Sequence, residues 1–243
     1  MPGFGLLGYP LTHSFSQQYF TEKFSGLGLD GYHYENFSVP EIGEFRKILE
    51  EKKDLRGFNI TIPYKKQIIG FLDQSNEIVS AIGACNCVKI DNGLLKGFNT
   101  DVFGFEQSLL PFLKAHHQKA LVFGTGGASV AVIYVLEKLG IAYQSVSRTA
   151  SGKSISYAQV DAALIATHHL LINTTPLGMY PKLEDCPDIP YNQLTPQHHL
   201  YDLIYNPAET WFLEKGRQQN ATTQNGKEML VLQAEESWRI WNS

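Results

Sequence analysis

Ala120–Gly140 reads ALVFGTGGASVAVIYVLEKLG. The short apolar run Ala120 to Phe123 has the length and composition of a buried parallel strand. It runs into Gly124, Thr125, Gly126, Gly127, Ala128 and Ser129, then into a helical period with Val132, Val135, Leu136 and Leu139 on one face and Gly140 as its stop. Strand, glycine turn and helix together build the phosphate-binding start of a dinucleotide fold. The glycines let backbone N–H groups approach a pyrophosphate, and the helix N-terminus favours its negative charge. Ser129 stands where the usual pattern has a third glycine, and a glycine turn also serves plain strand-to-helix packing. The flanking strand and helix are the context the motif requires, which makes a nucleotide the stronger reading.

The next strand, Ile141 to Val146, ends at Ser147-Arg148-Thr149. An NAD-binding unit carries an Asp or Glu near this point for the ribose 2′-OH, whereas an arginine suits a 2′-phosphate. Arg148 is present and no acid stands at the strand end, which favours NADP over NAD.

The chain has 243 residues, enough for one large domain or two modest ones. Hydrophobic content of 43% and charged content of 18% are those of a globular protein. A net charge of -4 and a pI near 6.1 leave no basic footprint for nucleic acid. No apolar run approaches membrane-spanning length, and MPGFGLLGYP lacks the charged start of a signal peptide. Three cysteines cannot close a disulfide framework, so a cytoplasmic enzyme is expected. The pairs His116-His117, His168-His169 and His198-His199 lack accompanying ligand spacing, and packing or surface roles are expected for them rather than a metal.

Along the chain, strands are expected at Phe4–Gly8, Tyr32–Val39 and Gly57–Ile62, with a hairpin of Cys87–Ile90 and Leu94–Phe98 around Asp91-Asn92-Gly93. Ser16 is expected to cap a helix to about Gly26, and further helices are expected from Pro40-Glu41, near Tyr64 and over Glu77–Ile82. A helix follows Asn99-Thr100-Asp101. Leu170–Asn173 and Leu200–Tyr205 read as later strands, Asn206-Pro207 as the turn into a helix, and Lys227–Trp241 as the last helix. In α/β sheets, ligands sit outside the carboxyl ends of strands. The polar residues collected there are hydroxyls and amides with one lysine and one aspartate, a set that suits a small polyhydroxylated substrate.

GYPLTHSFS (Gly8–Ser16), NITIPYK (Asn59–Lys65), GACN (Gly83–Asn86), GFNTD (Gly97–Asp101), GTGGAS (Gly124–Ser129), SRT (Ser147–Thr149), NTTPLGM (Asn173–Met179), YDLIYNP (Tyr201–Pro207) and the Gln233 helix occur in this order over nearly the whole chain. Together they resemble the shikimate dehydrogenases of the shikimate/quinate dehydrogenase superfamily. The resemblance implies two α/β domains: a catalytic, substrate-binding domain over 1–101 joined by the C-terminal helix 227–243, and a Rossmann-type NADP-binding domain over 102–226. It implies NADP-linked interconversion of 3-dehydroshikimate and shikimate in aromatic amino acid biosynthesis, with Lys65 and Asp101 as the acid–base pair. Ser14 and Ser16 would hold the substrate carboxylate. Thr61, Lys65, Asn86, Asp101 and Gln233 would surround the ring hydroxyls, with Tyr205 nearby. Gly124 to Ala128 would take the pyrophosphate, Ser147, Arg148 and Thr149 the 2′-phosphate, and Leu203 and Gly226 would lie by the nicotinamide.

Three positions depart from the family pattern: Cys87 for threonine, Val102 for glycine, and Glu228 for a glycine after Asn225-Gly226-Lys227. None replaces a residue assigned to proton transfer. The rival readings are a quinate/shikimate dehydrogenase using NAD, and a non-catalytic NADP-binding sensor on the same fold. Whether the chain is a monomer or a homodimer is left open.

Overall fold

The apolar run at the start folds as β1 (Gly3–Gly8), buried at every position. In the computed structural model, which describes residues 1–11 and 14–243, β1 is followed by α1 (Phe15–Gly26), β2 (His33–Ser38), α2 (Phe45–Glu51), β3 (Leu55–Ile60), β4 (Gln74–Ser75), α3 (Glu77–Ile82), β5 (Cys87–Asp91) and β6 (Leu94–Phe98). These strands form one sheet in the order β2-β1-β3-β5-β6-β4, with β1 parallel to β2 and β3, and β5 antiparallel to both β3 and β6. The β5–β6 turn places Asn92 and Gly93 at φ 51° and 83°, the left-handed pair that a two-residue hairpin needs.

Period-two alternation sorts β3 between two cores. Phe58 and Ile60 enter one apolar cluster with Leu7, Phe45, Ile68 and Val79. A register shift, in which Gly3 pairs with Leu55 and Phe4 with Gly57, breaks the alternation and lets Leu55 join that cluster. Gly57 and Asn59 face the other side. There the end of the last helix packs, and a Cβ on Gly57 would run into the Trp241 indole. Phe4, Phe20, Phe24, Tyr34, Trp238 and Trp241 form an aromatic cluster on that side, with Phe4 and Trp241 centroids 4.8 Å apart. The Trp241 Nε1–H donates to the Val88 carbonyl at 3.0 Å.

The remaining elements are α4 (Thr100–Leu109), β7 (Lys119–Phe123), α5 (Gly127–Lys138), β8 (Ala142–Ser147), β9 (Ile155–Ser156), α6 (Ala162–Thr167), β10 (Leu170–Asn173), β11 (His199–Asp202), α7 (Trp211–Gln218), β12 (Thr222–Gln224) and α8 (Lys227–Trp241). Their sheet is parallel throughout, in the order β12-β11-β10-β7-β8-β9. The chain starts in the middle with β7, winds outward to β9, then restarts beside β7 with β10. This is the doubly wound Rossmann order, and its switch point lies between β7 and β10. By their contacts the residues divide into two compact units, Met1–Thr100 with Ala234–Ser243, and Asp101–Gln233. The architecture is α/β with two sheets. No helix among the described residues is long and apolar enough to cross a membrane.

Several local expectations are corrected. Ser14, not Ser16, is the N-cap of α1: it is extended (φ -128°, ψ 121°) and its Oγ accepts the Gln17 N–H at 3.2 Å. Ser16 is buried inside the first turn. The segment after Tyr64 forms only a 3-10 turn, Gln67–Phe71, whose N-cap Lys66 makes no side-chain cap bond. β11 stops at Asp202 rather than Tyr205, and α7 waits for its own cap, Thr210, rather than following Asn206-Pro207. Thr12 and His13, within the GYPLTHSFS motif, lie outside the described residues.

The histidine pairs precede or open three neighbouring strands, β7, β10 and β11, at the amino-end edge of the second sheet. The rings meet one another: His116 and His117 at 4.5 Å, His116 and His169 at 5.5 Å, His169 and His198 at 5.1 Å. His117 accepts the Lys114 N–H at Nδ1 and meets the Gln197 carbonyl through Nε2. His198 does likewise with the Thr195 N–H and the Ile165 carbonyl. These bonds favour the neutral Nε2–H tautomer in each, and in His117 a second proton would be aimed at the Lys114 N–H. Burial holds His117, His168 and His198 below the ordinary imidazole range and pushes His199 down to about 4. Between the unfolded pKa of about 6.5 and the folded value, the unfolded chain binds protons that the folded chain excludes, so stability falls as pH falls through this window. His199 alone is expected to remove about 2 kcal/mol between pH 7 and pH 5. Urea denaturation across that range measures the loss, and His199→Phe, which keeps a ring beside Phe112, is expected to flatten the profile by that amount.

Candidate functional site

Phe123 and Asn173 end adjacent parallel strands, so their following segments open a cleft at the switch point. Its volume is about 460 Å³, and its walls are Gly124, Thr125, Gly126, Ser147, Arg148, Tyr157 and the Thr174–Leu177 segment. Gly124 sits at φ 105°, and a Cβ there would stand 2.6 Å from the Thr174 Oγ, so the turn requires glycine. At Gly126 and Gly127 an added Cβ would meet nothing within 4 Å. Gly126 is the N-cap of α5 without a side-chain cap bond, which leaves the first amides of that helix to an anion. Ser129 takes the third-glycine position without blocking the turn: it is buried, and its Oγ donates to the Gly126 carbonyl at 2.7 Å.

Arg148 and Thr149 are exposed, and Ser147 Oγ donates to the Thr149 carbonyl at 2.5 Å, which shapes the loop after β8. Among the described residues, no carboxylate lines the cleft. Glycines, uncapped amides and an arginine therefore fit a phosphorylated dinucleotide. Tyr157, Thr174 and Thr175 also line it. The two threonines follow a recognisable strand end, whereas Tyr157 follows the two-residue β9, which has no sequence periodicity to reveal it.

The threonine wall is fixed from below. Asp202 is fully buried and accepts from Asn173 Nδ2 at 3.0 Å, the Ile204 N–H at 3.1 Å and Thr210 Oγ at 2.6 Å. Burial outweighs these bonds and raises its carboxyl to about 6. Asn173 Oδ1 in turn accepts the Thr175 N–H at 3.0 Å and its Oγ–H at 2.6 Å. In the same unit, Leu203 and Gly226 are brought together: a Cβ on Gly226 would run into the Leu203 carbonyl, and the Gly226 N–H donates to the Ile204 carbonyl at 3.0 Å. Glu228 is exposed.

Asp101 stands in the first turn of α4 and is half-buried. Gly104, three residues on and on the same helix face, lets α8 approach until a Cβ would be 2.6 Å from the Met229 carbonyl and 3.0 Å from Gln233 Cβ. Gln233 is buried with Nε2 donating to the Leu230 carbonyl at 2.8 Å, while Tyr205 is exposed.

In the first unit the sequence-selected residues are tied by buried hydrogen bonds. Ser16 hydrogen-bonds the Tyr34 phenol, which donates to Asn59 Oδ1 at 2.9 Å. Asn59 Nδ2 donates to Ser237 Oγ at 2.8 Å and to the Asn86 carbonyl at 3.3 Å. Asn86 Oδ1 accepts the Thr100 N–H at 2.6 Å, and Asn86 Nδ2 donates to Thr100 Oγ at 3.0 Å. Thr61 donates its N–H to the Leu7 carbonyl at 2.9 Å, and Gly8 leaves space for its methyl group. The Lys65 carbonyl accepts the Cys85 N–H at 2.8 Å, holding the half-buried lysine beside the segment that carries Asn86.

Residues 6–88 match the shikimate dehydrogenase substrate binding domain. A shikimate dehydrogenase (NADP(+)) from Methanococcus maripaludis is 38% identical over 98% of this chain and 90% of its own length. The chain belongs to the shikimate dehydrogenase family. Another shikimate dehydrogenase (NADP(+)), from Caldicellulosiruptor saccharolyticus, is 34% identical over 97% of the chain and 90% of its own length. Among solved structures, a shikimate 5-dehydrogenase from Thermus thermophilus in complex with NADP(H) and shikimate superposes with a TM-score of 0.87 at 29% identity, covering 99% of this chain and 93% of that one.

Within this shikimate dehydrogenase fold, the Asp202–Asn173 pair is the structural support of the cleft. Asn173→Ala removes one donor from a buried carboxylate and both bonds to Thr175. It is expected to cost about 3 kcal/mol in urea denaturation.

Proposed function

We propose that the chain is an NADP-dependent shikimate dehydrogenase, interconverting 3-dehydroshikimate and shikimate in the route to aromatic amino acids. The observation that carries the cofactor reading is the switch-point cleft, with glycines facing open space, Arg148 at its rim and no carboxylate among the described residues of its wall. Gly124, Thr125, Gly126, Gly127 and Ala128 would hold the pyrophosphate. Ser147, Arg148 and Thr149 would hold the 2′-phosphate, with Arg148 offering the planar fork that a phosphate accepts. Leu203 and Gly226 would border the nicotinamide. When bound, NADP supplies the hydride chemistry.

In this reading the first unit binds substrate. Ser14 uses its Oγ lone pair to cap α1, which leaves its proton to donate to the substrate carboxylate. Ser16 stands beside it in the first turn of the same helix, whose dipole favours a negative charge there. Thr61 and Asn86 orient ring hydroxyls, with Gln233 and Tyr205 as further contacts. Lys65 and Asp101 exchange the hydroxyl proton as hydride leaves or arrives. The cytoplasm is the proposed location, consistent with three cysteines that all remain thiols.

Nicotinamide absorbance with shikimate or quinate, each with NADP or NAD, tests this reading. Shikimate with NADP is expected to be the best pair. Lys65→Ala and Asp101→Asn are each expected to lower kcat by about 10²- to 10⁴-fold. Arg148→Ala is expected to raise the NADP KM by about tenfold or more while sparing that for NAD. Preferential turnover of quinate with NAD would replace the proposal, and NADPH binding without any turnover would favour a sensor.

A further inference from the structure

Ser237 is fully buried on α8, 178 positions from Asn59 in the chain, yet its Oγ accepts the Asn59 Nδ2–H at 2.8 Å. The same oxygen lies 3.3 Å from Thr100 Oγ. Thr100 fixes the Asn86 side chain twice. Its backbone N–H can only donate, so it faces Asn86 Oδ1, and this sets which end of the carboxamide is nitrogen. Its hydroxyl accepts from Asn86 Nδ2, while its own proton faces Asn86 Oδ1 at 3.3 Å and the Ser237 oxygen at 3.3 Å, and in the Thr100–Ser237 contact either hydroxyl can donate. On the other branch, the Asn59 amide is oriented by the Asn86 carbonyl, which can only accept. Ser237 is thus where two oriented branches meet.

The result for Asn86 is specific. One Nδ2 hydrogen is taken by Thr100, and the second has no partner among the described residues. Asn86 is 3% exposed, so this donor is not satisfied by bulk water at little cost. Its direction is set by the clamp rather than by the side chain's own rotamer freedom.

We propose that Ser237 is a positioning residue: through Thr100 and Asn59 it holds the Asn86 carboxamide so that its spare N–H meets a ring hydroxyl of the substrate. This rests on the proposed shikimate reading, in which Asn86 contacts substrate and Ser237 does not. Removing the Ser237 hydroxyl leaves Asn59 Nδ2 bonded to the Asn86 carbonyl, Thr100 bonded to Asn86, and the Cys87 thiol, which also meets Ser237, with its bond to Trp241, so the fold is expected to survive.

The test is calorimetric titration of shikimate, alongside steady-state kinetics and NADPH titration, on Ser237→Ala. Shikimate Kd and KM are expected to rise about five- to tenfold, with kcat and NADPH Kd within about twofold of the parent protein. Thr100→Val, lacking the hydroxyl, is expected to behave like Ser237→Ala, and Thr100→Ser to restore binding. In an Asn86→Ala background, Ser237→Ala is expected to add nothing, because the two act on one contact. An unchanged shikimate Kd in Ser237→Ala, or a penalty that adds in full on top of Asn86→Ala, would overturn the inference. If Ser237→Ala fails to fold, the Thr100→Val and Thr100→Ser pair decides the question by the same Kd comparison. If the parent protein itself neither binds nor turns over shikimate, the proposed function has failed instead.

Discussion

Parallel pairing brings the carboxyl ends of neighbouring strands to one edge of a sheet, and each unit of this chain places its chemistry on such an edge. In the second unit the edge between β7 and β10 carries the glycine turn and the threonine wall. In the first, β1 ends at Gly8 beside Thr61, just past the end of β3. A reversed strand would send those residues to the opposite edge, so strand direction is the condition on which the glycine turn, the threonine wall and Thr61 depend, while Asn86 stands at the amino end of the antiparallel β5.

That edge must be polar and yet rigid, and buried hydrogen bonds meet both demands. Asp202, Asn173 and Thr175 form one network, and Tyr34, Asn59, Ser237, Thr100 and Asn86 another. Networks of this kind add little net stability, because each bond replaces one to water. What they fix is orientation: a backbone N–H can only donate and a carbonyl can only accept, so each such anchor sets which way the amide or hydroxyl bonded to it points. The packed apolar clusters on either side supply the favourable energy, and the networks select the geometry.

The legible parts of the sequence were those whose signal is local. The run from Ala120 through Gly140 carries its strand, turn and stop within one stretch. Gly140, at φ 70°, closes α5 with the paired bonds of a left-handed helix end. Asn92-Gly93 declares its hairpin in the same way. What was not legible depended on distance or on small margins. Ser14 and Ser16 are both good caps by composition, and only the backbone angles decide between them. Tyr157 follows a strand too short to have a period, and the bond between Asn59 and Ser237 joins residues that no window reads together. Membership of the family was legible because it rests on many short stretches in order rather than on any one of them.

The aromatic packing of the last helix has an optical consequence. Of three tryptophans in the chain, Trp238 and Trp241 belong to the first unit's ring cluster, whereas Trp211 heads α7 in the second, 43% exposed, with Lys215 Nζ 5.4 Å from its ring centroid. The two surroundings differ in polarity, so the blue and red sides of the intrinsic emission carry separate reports. A quencher confined to water would dim Trp211 first, half-buried Trp238 less and buried Trp241 least, giving each unit its own built-in fluorophore without any label.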